Sequence, residues 1–162
     1  MKTWPLLLLL ALLSRLSAAQ APLFDFQQLR WQQLGFATPR PQIVQRLGAP
    51  RAVVPHVACD GQRRKLSELR YPQVVFVGAG QGTYELNSVN FSATTSLSYG
   101  PATLSARTTF ADLKRLFDAS LHEDHGRNGV SRVLIPGKAD GGALFTFRHH
   151  RLARFEVWTP PC

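Results

Sequence analysis

Four consecutive residues, His122-Glu123-Asp124-His125, bring two imidazoles and two carboxylates together, and His149-His150 adds two more rings. Imidazole nitrogen and carboxylate oxygen are common ligands for zinc and other transition metals, so His122 and His125 are the candidate metal ligands of this chain. Their surroundings argue for a solvated role. The first cluster runs into Gly126-Arg127-Asn128-Gly129, a loop by composition, and the second occupies a hairpin turn where one ring need not face the other. No metal and no cofactor is expected. Most of the surplus arginines are scattered along the chain as on an ordinary solvated surface, and a polyanion site would require residues such as Arg148, Arg151 and Arg154 to converge on one patch.

Catalytic patterns are harder to find. The chain has no Gly-x-Ser-x-Gly elbow, no His-Glu-x-x-His helix and no P-loop, and Glu123 with Asp124 are only sequence neighbours. No residue can be nominated as a catalyst, and a metal-dependent hydrolase is the weakest of three functional readings. Gly78-Ala79-Gly80-Gln81-Gly82 alternates glycine with small residues as a phosphate loop does, but an apparent strand follows it where a helix would be required, so a hairpin connection is expected. Asn90-Phe91-Ser92 fits the N-glycosylation tripeptide, which matters only in a eukaryotic secretory route.

The start of the chain bears on compartment. Met1-Lys2-Thr3-Trp4-Pro5, the apolar run Leu6 to Leu13 and the small-residue exit Ser17-Ala18-Ala19-Gln20-Ala21 have the order of a secretory signal. Arg15 interrupts the run well before the roughly 20 apolar residues that a membrane span requires. Residues 1–21 are expected to be a cleaved signal peptide and 22–162 a single exported domain, periplasmic or secreted, with no transmembrane segment in the mature chain. Cleavage would remove Lys2 and Arg15 and no acid, lowering the formal charge from +9 to +7. Such a surface attracts polyanions without specificity, and no specific nucleic acid is implied. Export also permits the two cysteines, Cys59 and Cys162, to pair. That disulfide would close a loop of about 100 residues and stabilise by roughly 4 to 5 kcal/mol in the chain-entropy account.

These groups need a framework. Thr38 to Gly48 reads as a short helix, with Thr38 as cap, Pro39 at the first helical position, Ile43 and Leu47 four residues apart, and Gly48 as the stop. A second helix starts near Thr108, with Thr109 and Asp112 as a capping pair and Phe110, Leu113, Leu116 and Phe117 on one face. Strands are expected at Ala52 to Ala58, Leu66 to Tyr71, Val74 to Val77, Tyr84 to Phe91 and Thr95 to Tyr99, too close together for parallel crossovers. Residues Gln27 to Phe36 fit either a short helix or an entry strand. Near the C-terminus, Ala143 to Arg148 and Leu152 to Trp158 form a hairpin. A three-residue loop, His149 to Arg151, with an accompanying bulge, makes one face apolar, with Phe145 opposite Phe155, Ala143 opposite Val157 and Phe147 opposite Ala153.

The two helices lie about 70 residues apart, each followed by strands, which suggests tandem units at 36–100 and 106–160. The segment Ile43-Val44-Gln45-Arg46-Leu47-Gly48-Ala49-Pro50, ending in Leu-Gly-x-Pro before extended chain, resembles small exported bacterial proteins of the BamE and β-lactamase-inhibitor-protein-like group. The match covers about 10 residues well, and the second unit has Phe117-Asp118-Ala119-Ser120 where that ending would stand. The resemblance implies an α+β fold of short helices packed on an antiparallel β-meander, and a protein-binding or envelope-associated role, without assigning any residue. The function expected first is a non-catalytic module that binds another protein or an envelope component. An envelope polyanion-binding protein is the alternative.

Overall fold

The computed structural model describes residues 23–56, 65–118, 121–138 and 141–160. The expected signal peptide and the Cys59 to Cys162 bridge lie outside them.

Asp25 opens the described chain with a cap on a single turn of 3-10 helix, Phe26–Gln28, its carboxylate accepting from the Gln27 amide. The stretch that suited either a helix or a strand is a small hairpin, β1 (Leu29–Trp31) and β2 (Leu34–Gly35), turned through Gln32 and Gln33, both at positive φ. There follow β3 (Ala37–Pro39), helix α1 (Arg40–Leu47), and the strands β4 (Ala52–His56), β5 (Leu66–Arg70), β6 (Val74–Gly78) and β7 (Thr83–Asn90). After β8 (Ser96–Tyr99) and β9 (Ala102–Ser105) comes helix α2 (Phe110–Leu116), then β10 (Asp124–His125), β11 (Val130–Pro136), β12 (Gly142–Arg148) and β13 (Arg151–Trp158).

The strands form two antiparallel sheets. The larger runs β10-β11-β12-β13-β7-β6-β5-β4, with β3 joining the Thr83 end of β7 beside β13, and the smaller runs β2-β1-β8-β9. Strands take 52% of the described residues and helix 14%, so the expected α+β arrangement of helices packed on a meander is overturned: the fold is β-rich. The reason is length. Helix α1 buries Ile43 and α2 buries Leu113, and helices of eight and seven residues cannot roof a nine-stranded sheet. The smaller sheet supplies much of the cover. Trp31 meets Phe76 at 6.5 Å between ring centres, and Phe24 meets Tyr99 at 4.7 Å. Strands from both expected units, 36–100 and 106–160, meet where β7 pairs with β13, and their apolar side chains share one core.

Register sets which residues enter that core. Val133, Phe145, Phe155 and Val89 are opposed across β11, β12, β13 and β7, and all are buried. Phe145 faces Phe155 and Ala143 faces Val157, as parity requires, but the odd residue is not in the turn. The loop is the two-residue His149-His150, both at positive φ, and a bulge leaves Ala153 unopposed, so that Phe147 faces Leu152. A bulge and a longer loop satisfy the same parity. The Gly78 to Gly82 segment is a hairpin turn between β6 and β7, closed by the Gly82 amide on the Ala79 carbonyl at 3.0 Å.

Both helices start differently from one another. In α1, Thr38 is buried and its hydroxyl donates to the Gly35 carbonyl at 3.0 Å, so Pro39 occupies the cap position without a side-chain bond. In α2, Thr109 accepts from the Asp112 amide and the Thr109 amide donates to the Asp112 carboxylate at 2.8 Å, a reciprocal box. Those bonds, from the Thr109 backbone first, hold the Asp112 carboxyl below its ordinary range. Thr109→Ala is expected to cost about 1 kcal/mol of stability, measured by urea unfolding, because it removes one side of the box. An unchanged midpoint would mean that packing alone fixes the helix start.

Candidate functional site

Three segments meet at one end of the large sheet. The β12–β13 turn places Arg148 directly opposite Arg151, and Val130 of β11 lies opposite Arg148 on the other side. The His149 amide donates to the Gly129 carbonyl at 2.9 Å, seating the His149-His150 turn beside the Arg127-Asn128-Gly129 turn. A Cβ on Gly129 would lie 3.2 Å from His149 Nδ1, and Gly129 has φ +69, so both turns fit closely where only glycine suits. From the other flank, the Leu152 amide donates to the Thr108 carbonyl at 2.9 Å, and Arg151 Nη1 donates to the Arg107 carbonyl at 2.7 Å.

The composition of this end is one-sided. Residues 105–109, 126–132 and 147–152 contain Arg107, Arg127, Arg132, Arg148, Arg151, His149 and His150, and no aspartate or glutamate. All seven are exposed. Among the described residues, none of these five arginines is in an ion pair. Of the acids flanking these segments, Asp112 is held by Thr109 and Arg115 and Glu123 accepts from the Ser131 hydroxyl, while Asp124 on β10 stands directly opposite Arg132. Guanidinium groups without ion-pair partners, held close together, raise the local potential and draw in anions.

The sequence candidates fare unequally. Arg148 and Arg151 are brought together. Arg154 lies on the same sheet face, opposite Thr146, but its Nη2 is 2.9 Å from Glu156 Oε1 and its sheltered Nε has no hydrogen-bond partner among the described residues. Arg132 completes that row on the far side of Thr146, and with Arg107 and Arg127 it was missed by sequence reasoning. Its signal was present: Ser131, Val133 and Ile135 alternate with Arg132, Leu134 and Pro136, although a buried serine and an exposed leucine blur the pattern.

The histidine cluster is divided. His122 lines a cleft of about 570 Å³, while His125 pairs with Ser131 on β10. Among the described residues, no group of three or more histidine, cysteine, aspartate or glutamate side chains has a metal-holding arrangement. The cleft is bounded by the segment Phe117, Asp118 and Leu121 to Asp124 and by β11, β12 and β13 through Arg132, Leu134, Leu144 and Trp158. Register places Arg132, Leu134, Leu144 and Trp158 on the face turned away from the core, since their neighbours Val133, Phe145 and Val157 point inward.

At the far end of that face, Glu68 binds His56 Nδ1 at 3.0 Å and Arg70 Nε at 2.6 Å. Burial would raise its carboxyl, but those two partners outweigh burial and hold it below the ordinary range. A carboxylate depressed in this way contributes stability above its ordinary value near 4.5, and the contribution fades as pH falls through the lower folded value. The cluster braces β4 against β5, with Glu68 as the shared acceptor.

No family model matches the chain, and neither does any curated protein or solved structure. No helix among the described residues is long and apolar enough to cross a membrane.

Proposed function

We propose that the protein is an exported, non-catalytic module that binds a polyanionic macromolecule through the arginine-rich end of its large sheet. The observation that carries this reading is the meeting of residues 105–109, 126–132 and 147–152, which gathers five arginines and two histidines from three separate segments. Arginine suits the task because its planar fork pairs with sulfate, phosphate or carboxylate oxygens in two parallel hydrogen bonds. The secretory order of the opening residues supports export, which would put the surface in contact with envelope or extracellular polymers. This reading joins the two leading sequence expectations: the macromolecule bound is itself the polyanion. The open face carries one aromatic side chain, Trp158, on β11 to β13, where a protein-docking stripe would present several.

The test is affinity for heparin and for inorganic polyphosphate as a function of salt. Arg148→Glu combined with Arg151→Glu is expected to weaken both by about tenfold to a hundredfold at 50 mM salt, and to flatten the salt dependence by roughly two charges' worth. Arg46→Glu with Arg51→Glu makes the same change in net charge elsewhere. Arg46 is exposed on the last turn of α1, and Arg51 is exposed just before β4, the edge strand four places from β13, where its amide meets the Arg70 carbonyl. Equal losses from both pairs would mean that net charge, and no site, governs binding.

A further inference from the structure

The same face that ends in the basic cluster continues into the cleft. Arg132 belongs to both: it lies across Thr146 from Arg154, one row from Arg148 and Arg151, and it lines the cleft. From Arg132 the cleft runs past Leu134 and Leu144, which are directly opposed, to Trp158 at the row of Pro136 and Gly142. Leu134 is 41% exposed, a large apolar side chain left open on a strand centre. Trp158 is half-buried and lines the cleft.

We infer that the polyanion is an acidic polysaccharide, with one sugar ring seated beside Trp158 and Leu134 in the cleft and the anionic substituents of neighbouring units reaching Arg132, Arg148 and Arg151. The inference rests on the polyanion reading and adds the class of polymer. A sugar ring has an apolar face of C–H bonds that packs on an indole, and a rim of hydroxyl groups that donate to carboxylates. The cleft offers both kinds of partner, since the indole, Leu134 and Leu144 line it together with His122, Glu123 and Asp124. An extended chain of phosphates fits poorly. Polyphosphate has no apolar face to pack on the indole, and a nucleic acid would offer the cleft a stacked base in place of a hydroxyl-rimmed ring. Anionic groups spaced along a hydroxyl-rich chain match a surface where arginines crowd one end and carboxylates share the cleft with a tryptophan.

The distinguishing experiment compares heparin fragments, inorganic polyphosphate and single-stranded DNA on the purified protein. Trp158→Ala is expected to weaken heparin binding about tenfold, the scale of one lost ring stack, and to leave polyphosphate binding within about twofold. Trp158→Phe should restore most of the affinity, because a flat ring is retained. Leu134→Gln, on an exposed site that the fold does not need, should weaken heparin binding by about threefold and so keeps the test alive if the alanine variant unfolds. Heparin affinity unchanged by both Trp158→Ala and Leu134→Gln overturns the inference, as does an equal loss for polyphosphate. Tighter binding of single-stranded DNA that vanishes with Trp158 would overturn it in favour of stacked bases. If Arg148→Glu with Arg151→Glu changes none of the three, the polyanion reading itself fails.

Discussion

Phe24→Ala is expected to lower the unfolding free energy by about 3 to 5 kcal/mol, a large share of the roughly 5 to 15 kcal/mol available to a domain of this kind. Phe24 is fully buried, and its ring lies within 4.7 to 6.1 Å of Phe26, Tyr99, Phe117, Phe145 and Phe155. Those neighbours come from the 3-10 turn, the small sheet, the end of α2 and two strands of the large sheet, so one ring joins the layers of the core. The backbone is anchored as well, the Phe24 amide donating to the Pro136 carbonyl at 2.7 Å. Truncation leaves a cavity that rigid strands on two sides cannot close. Thermal unfolding should fall by roughly 10 °C or more. A drop of only 2 or 3 °C would mean that the layers are joined independently of this residue.

Gly78→Ala should cost about 2 to 3 kcal/mol, with strand β6 and the following turn most affected. A Cβ there would lie 2.5 Å from the Thr83 carbonyl oxygen and 2.6 Å from the Tyr84 ring. Neither can retreat. Thr83 and Tyr84 are paired in β7, and the fully buried Tyr84 is held through its hydroxyl by Ser67 at 2.7 Å and by the Gly80 carbonyl at 3.2 Å. Gly35→Ala serves as the comparison, since its nearest contact would be 3.7 Å away, and it should change stability by less than about 0.5 kcal/mol. Similar urea midpoints for the two variants would contradict the close approach of the Tyr84 ring.

Much of the local structure could be read from residue order because it depends on near neighbours. The Thr109 and Asp112 box, the Gly48 stop at φ +79, and the Phe145 to Phe155 pairing each follow from spacing along a helix or parity along a strand. The β1–β2 hairpin and β11 were not legible. Gln32-Gln33 adopts positive φ without the Asn-Gly signal, and Ser131 is buried where an apolar residue would have marked the inward face. With those strands missing, two helices looked like the natural cover for a single meander, and the second sheet could not be foreseen.

The candidate site divides along the same line. Arg148 and Arg151 were visible as neighbours in a hairpin, and the composition of the chain determined its surplus of positive charge. Their enlargement into a cluster was decided only when the 105–109 and 126–132 segments were carried to the same sheet end, by hydrogen bonds to residues 149, 151 and 152. The division of His122 from His125, and the meeting of Trp158 with Arg132 in one cleft, were likewise tertiary outcomes. Sequence determines what lies within a turn or two, because caps, turns and alternation act over a few residues. Which distant arginines share a surface depends on strand order and on a single bulge at Ala153, and those are settled by how the whole core packs.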